Sequence, residues 1–63
     1  MYPKRILHKS YLGLSIDLPK YSIIEILEDR DDGIHCRVVA DGREFWSFHK
    51  YIMEISEVLV GGL

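Results

Sequence analysis

The sequence predicts one small, mostly β domain of about five short strands with a helical turn near the C-terminus. Three observations carry that expectation. The chain has 63 residues, one domain near the lower size limit for folding alone. Its apolar fraction is 48 %, enough for a core, and the isoleucine, valine, tyrosine and phenylalanine within it favour strands. An Asp-Gly pair, Asp41-Gly42, separates two strand-like runs, the strongest short-range mark of a hairpin.

Composition also narrows the function. A chain this short builds a deep cleft with difficulty, so binding modules, inhibitors and subunits of assemblies come before enzymes. The formal charge of −2 argues against coating duplex DNA by bulk electrostatics. Cys36 is the single cysteine and has no internal disulfide partner. Lys4 and Arg5 are not followed by the uninterrupted apolar run of a secretory leader. No stretch is apolar for the length of a membrane span. A reducing cytoplasm is the expected compartment.

Charge is segregated along the chain. Lys4, Arg5, Lys9, Asp17 and Lys20 give the first twenty residues a net +3. Glu25, Glu28, Asp29, Arg30, Asp31 and Asp32 sum to −4. Residues 1–10 are expected as a basic N-terminal segment of the single domain. Next, Leu12, Leu14 and Ile16 alternate with Gly13 and Ser15, which predicts a half-buried strand with a bend at Gly13. Pro19 falls in an irregular connection.

Tyr21 to Glu28 is breaker-free and β-branched, and so predicts a strand. Ile24 and Ile26 share one face and Ile23 and Leu27 the other, as in a central or strongly curved strand. Asp29 to Gly33 then reads as a charged loop. It is not an EF-hand loop: counted from Asp29, glycine falls fifth and Ala40 twelfth, where calcium needs glycine sixth and glutamate twelfth.

Ile34 to Ala40 and Arg43 to Phe48 form the predicted hairpin. A two-residue type I′ turn at Asp41-Gly42 would pair Val38 with Phe45, Arg37 with Trp46, Cys36 with Ser47 and His35 with Phe48. Alternation then places Cys36, Val38, Ala40, Arg43, Phe45 and Ser47 on a core face. His35, Arg37, Val39, Glu44, Trp46 and Phe48 take the other. The tail admits two versions. One is a helical turn, His49 to Ile52, before a strand, Met53 to Ile55. The other is a single amphipathic helix on Phe48, Ile52, Ile55 and Leu59, capped by Ser47 and stopped by Gly61. Residues 56–63 are expected as a C-terminal tail.

From Leu18 to Ile55 this layout resembles an SH3-like small β-barrel. It has an extended strand (Ile23 to Glu28), a charged loop, a hairpin with a tight distal turn (Ile34 to Phe48), a short turn (His49 to Tyr51) and a closing strand (Ile52 to Ile55). Tyr51 ahead of Ile52 matches the tyrosine of that turn in the peptide-binding members. Their Ala-Leu-Tyr-Asp-Tyr motif has no counterpart near Tyr11. Their paired tryptophans are His35 and Cys36 here, and their proline is Phe48. The resemblance therefore implies a barrel, not recognition of proline-rich peptides, and a fold confers no function by itself. The carbon storage regulator family has a similar length and strand content, but its arginine-glycine-glutamate signature is absent.

Few residues suggest chemistry. His8, His35, Cys36 and His49 are the available soft metal ligands, without a C-x-x-C or H-x-x-x-H pair. His35 and Cys36 point to opposite faces of their strand. Cys36 on the core face is a protonated, inert thiol. No nucleophile elbow or phosphate loop is present, so neither an enzyme nor a metal or cofactor is expected. The outer hairpin face remains. His35, Arg37, Trp46 and Phe48, with Tyr51 nearby, form a candidate patch for another protein or a second copy, with Arg37 stacked on Trp46 as a cation–π pair. The alternative is a nucleic-acid surface of Lys4, Arg5, Lys9, Arg37, Arg43 and Lys50 around stacked aromatics. Against both stands a bland outcome, in which the N-terminal segment or the tail folds over Trp46 and makes it core.

Overall fold

Residues 2–59 are described by the computed structural model. In chain order they form β1 (Lys4–Leu7), β2 (Tyr11–Leu12), β3 (Asp17–Leu18), β4 (Ile23–Arg30), β5 (Gly33–Val38), β6 (Glu44–Ser47), α1 (His49–Ile55) and β7 (Ser56–Val58). Five strands make one antiparallel sheet in the order β6-β5-β4-β1-β7, and β2 and β3 form a separate small hairpin. The mostly β class, the five-stranded sheet and the short helix near the C-terminus are as the sequence predicts.

Closure into a barrel is not. Among the described residues no ladder joins β6 to β7. The chain between these two strands is α1, whose Ile52 and Ile55 enter the core. β7 has three residues, and all three pair with β1. The sheet is therefore open, with the helix between its two ends in sequence.

β4 is the long central strand, and its apolar residues on both faces reflect a bulge. Ile26 pairs with Cys36 and Glu28 with His35, leaving Leu27 as the extra residue. A bulge bends its strand and increases the local twist, which lets the sheet wrap a core. That core is enclosed most tightly at Leu7, Ile24, Ile34, Cys36 and Ile52. Each such aliphatic side chain contributes about 1.5–3 kcal/mol of burial.

The distal hairpin is displaced from its predicted register by two residues. Cys36 pairs with Phe45, His35 with Trp46, Ile34 with Ser47 and Arg37 with Glu44. The loop is four residues, Val39 to Gly42: Val38 N donates to Arg43 O and Gly42 N donates to Val38 O, both at 2.8 Å. Within this loop Gly42 alone has positive φ, +79°, whereas a type I′ turn needs two such residues. Asp41 instead uses its carboxylate locally, accepting from Arg43 N at 3.0 Å and from Arg43 Nε at 2.6 Å. Because the displacement is even, the two faces survive it. Cys36, Val38, Phe45 and Ser47 are buried and Trp46 looks outward. Val39, Ala40 and Phe48 leave the strands, and Arg43 is exposed rather than part of the core face.

Both ends of the described segment are built into the sheet. Lys4–Leu7 lies between β4 and β7. The expected strand over Leu12, Leu14 and Ile16 is replaced by the β2–β3 hairpin, closed by Gly13 N donating to Ile16 O at 3.0 Å. Ile16 is buried while Leu12 and Leu14 are exposed. The tail takes a form between its two expected versions. α1 runs to Ile55, where the closing strand was expected, and the strand follows at Ser56. Ser56 is extended, pairs with Leu7, and is gripped by Arg5 through its hydroxyl at 2.8 Å and its carbonyl at 3.0 Å. A single helix through Leu59 cannot form against those contacts. Ser47 is not the cap, since Phe48 holds that position without a side-chain bond. The proposed stop at Gly61 lies outside the described residues.

Candidate functional site

Trp46 is the centre of the outward face. It sits mid-β6 with its side chain away from the core and 52 % exposed. Its cross-strand partner His35 stacks on it, ring centroids 4.6 Å apart and planes 5° apart. His35 Nε2 lies 3.0 Å from Glu44 Oε1, which holds the imidazole in place. Gly33 lies against the indole: a Cβ there would stand 3.3 Å from the ring. The Arg30 guanidinium is 5.8 Å from the ring centroid. One aromatic surface is thus fixed by its neighbours and still open to solvent.

A groove of about 320 Å³ runs beside it. The β2–β3 hairpin supplies one wall (Tyr11, Leu12, Gly13, Leu14 and Ser15), and Trp46, Ser47, Phe48 and Tyr51 supply the other. Phe48 is 72 % exposed at the start of α1, and Tyr51 is half-buried. Tyr11 is buried beneath, with its ring 5.0 Å from Phe45 and 5.5 Å from Tyr51. These tilted ring contacts form the floor of the groove. Gly13 is required beside it. A Cβ at that position would approach the Tyr11 ring to 2.5 Å and Ile16 O to 2.9 Å.

Of the five predicted patch residues, Trp46, Phe48 and Tyr51 line the groove together, and His35 supports Trp46 from the adjacent strand. Arg37 does not join them. The two-residue displacement puts it opposite Glu44, and its guanidinium bonds Glu25 at 2.8 and 2.9 Å. The expected Arg37–Trp46 stack is absent. Arg37 instead lies 5.6 Å from the Tyr2 ring, and the cation over Trp46 is Arg30. Lys4, Glu25, Arg37 and Glu44 follow one another across β1, β4, β5 and β6 as a row of alternating charge. Within it the Arg37 hydrogen bond, aided by Lys4, holds the Glu25 carboxyl below the usual range and raises Arg37 above its own. Among the described residues, neither the N-terminal segment nor the tail covers Trp46 or Phe48.

The predicted nucleic-acid cations are largely engaged. Lys4 pairs with Glu25 at 3.6 Å, Arg5 holds Ser56, Arg37 holds Glu25 and Arg43 holds Asp41. Lys9 and Lys50 lie elsewhere, before β2 and in α1. Burial pushes the Cys36 thiol up to about 12, which keeps it protonated. Among the described residues no three His, Cys, Asp or Glu side chains converge as metal ligands do, and no helix is long and apolar enough to cross a membrane.

Sequence reasoning missed Tyr11, Leu12 and Leu14 as half of the groove. The signal present was Gly13, which marks a bend, but a bend alone does not say which element it packs against. No family model, curated protein or solved structure matches this chain.

Proposed function

We propose that the chain is a non-enzymatic interaction module that binds another protein or a second copy of itself through the groove between the β2–β3 hairpin and Trp46. The observation that carries this is the pairing of exposure with close packing from behind. Trp46 and Phe48 are open to solvent, yet Trp46 is stacked by His35 and the groove floor is a packed tyrosine cluster. Aromatic anchors packed from behind, beside a preformed groove, lose little conformational entropy on binding, the property shared by interface hot spots. An SH3-like assignment of the fold is supported by the strand order. The first strand, β1, is flanked by β7 and β4, a hairpin is inserted after it, and a helical turn precedes the last strand. A nucleic-acid role is less well supported, because most of the candidate cations already have partners within the chain.

The test is capture from nuclease-treated extract with the intact chain and with Trp46→Ala. A protein partner should be retained after nuclease treatment and in raised salt, since phosphate contacts weaken steeply with salt. Trp46→Ala should stay folded by circular dichroism and lose that partner. Retention that vanishes with nuclease, or that ignores Trp46→Ala, overturns the proposal.

A further inference from the structure

We infer that the occupant of the groove is a second copy of this chain, an inference that rests on the interaction-module reading above. The groove carries both halves of such a contact. Its hairpin wall presents Leu12 and a fully exposed Leu14, and its other wall presents Trp46 and Phe48. In an isologous contact the same patch on each copy meets its counterpart. A two-fold axis running along the groove sets each Leu14 against the opposite Trp46 and Phe48. Grouped apolar side chains of this size on a small domain mark a surface that a partner covers.

The charges beside the groove have the sign separation this axis uses. Lys9 and Lys20 flank the β2–β3 arm, and with Asp17 they give residues 8–20 a net +1. Neither lysine has an ion-pair partner among the described residues. The end of β4 and the β4–β5 turn hold Glu28, Asp29, Asp31 and Asp32 against Arg30, a net −3, with Arg30 3.9 Å from Glu28 and 3.3 Å from Asp32. This segment is tied to the aromatic wall by Arg30 over Trp46 at 5.8 Å and by the Asp29–His49 pair at 2.7 Å. Within one copy the two lysines flank the hairpin that forms one wall, while the acidic segment is tied to the other wall. The two-fold axis brings the arm of one copy to the turn of the other. Association also adds core to a chain whose size leaves little of its own.

Sedimentation velocity and light scattering on the intact chain, up to about 0.5 mM, test this against the affinity scale of stable dimers. The expected mass is twice 7.4 kDa, with the dimer weakened by added salt. Leu14→Ser removes only an exposed side chain, so it should fold normally and weaken the dimer at least about tenfold. Asp31→Lys with Asp32→Lys should weaken it too, and adding Lys9→Glu with Lys20→Glu should restore it. A monomer throughout that range, or a dimer indifferent to Leu14→Ser, overturns the second-copy inference. If that monomer still captures a protein in a Trp46-dependent way, the interaction module stands with a different partner.

Discussion

The imidazole of His35 lies flat on the indole of Trp46, 4.6 Å between centroids, and this stack fixes the orientation of the most exposed large anchor on β6. Aromatic pairs of this kind add about 0.5–1.5 kcal/mol beyond area burial. A double-mutant cycle of His35→Ala and Trp46→Ala, read by urea unfolding, should give a coupling energy in that range. Trp46→Ala alone should cost well under the roughly 3–5 kcal/mol of a fully buried aromatic, because Trp46 is 52 % exposed. A coupling indistinguishable from zero would mean that the stack does not orient Trp46.

Gly13 and Gly42 should respond differently to alanine. A Cβ on Gly13 meets the Tyr11 ring and the Ile16 carbonyl within 2.9 Å, so a groove wall must move. The expected cost is about 1–3 kcal/mol, as for overpacking a core, together with loss of partner binding. A Cβ on Gly42 meets nothing, but φ there is +79°. Its left-handed backbone costs about 1–2 kcal/mol in an L residue, with binding intact in the folded fraction. Urea unfolding and a binding assay on both variants separate the two causes. Binding retained by folded Gly13→Ala would remove the hairpin from the site.

The faces of the distal hairpin were legible in the sequence while its register was not, and the reason lies in parity. Alternation along β5 and β6 sorted Cys36 and Phe45 from His35 and Trp46. A loop of four residues in place of two moved the pairing by an even step and left that sorting intact. The turn itself was decided by Asp41, whose carboxylate bonds Arg43 instead of adopting positive φ, a competition that the Asp-Gly dipeptide does not reveal. Lys4–Leu7 was missed as a strand because a four-residue stretch with two cations shows no periodicity. Its partners Ile24 and Val58 lie far off in sequence. For the same reason Trp46 and Phe48 could be named as candidates, whereas Leu12 and Leu14 required the docking of one hairpin beside another.

Glu25 makes stability depend on pH in a defined direction. Arg37 and Lys4 lower its carboxyl pKa in the folded chain. A depressed folded-state value means that the unfolded chain binds the proton more tightly. The contribution is complete above the ordinary carboxylate range and is lost as pH falls through the lower folded value. Urea midpoints measured from pH 7 downward should therefore fall less steeply for Glu25→Gln than for the parent chain. Equal acid limbs for the two proteins would show that the Lys4–Glu25–Arg37 row adds no stability.

Tyr21 carries the only positive φ of a non-glycine residue among the described residues, +74°. It is the third residue of a turn in which Ser22 N donates to Pro19 O at 3.2 Å, and its own N–H donates to Leu7 O at 2.8 Å. Glycine or asparagine is the usual occupant of such a position, since a Cβ crowds the carbonyl that follows it. The ring is exposed and meets Lys20 Nζ at 4.9 Å, a contact worth about 0.5–1 kcal/mol. The backbone cost of about 1–2 kcal/mol exceeds that contact. Tyr21→Asn should thus match or exceed the parent in stability. Tyr21→Val, β-branched and least tolerant of the left-handed region, should fall below the parent by about 1 kcal/mol or more. The ordering Asn above Tyr above Val in thermal unfolding reports the backbone rather than the side chain. The reverse ordering would place the stabilising contribution of this turn in the Tyr21 ring and its lysine contact.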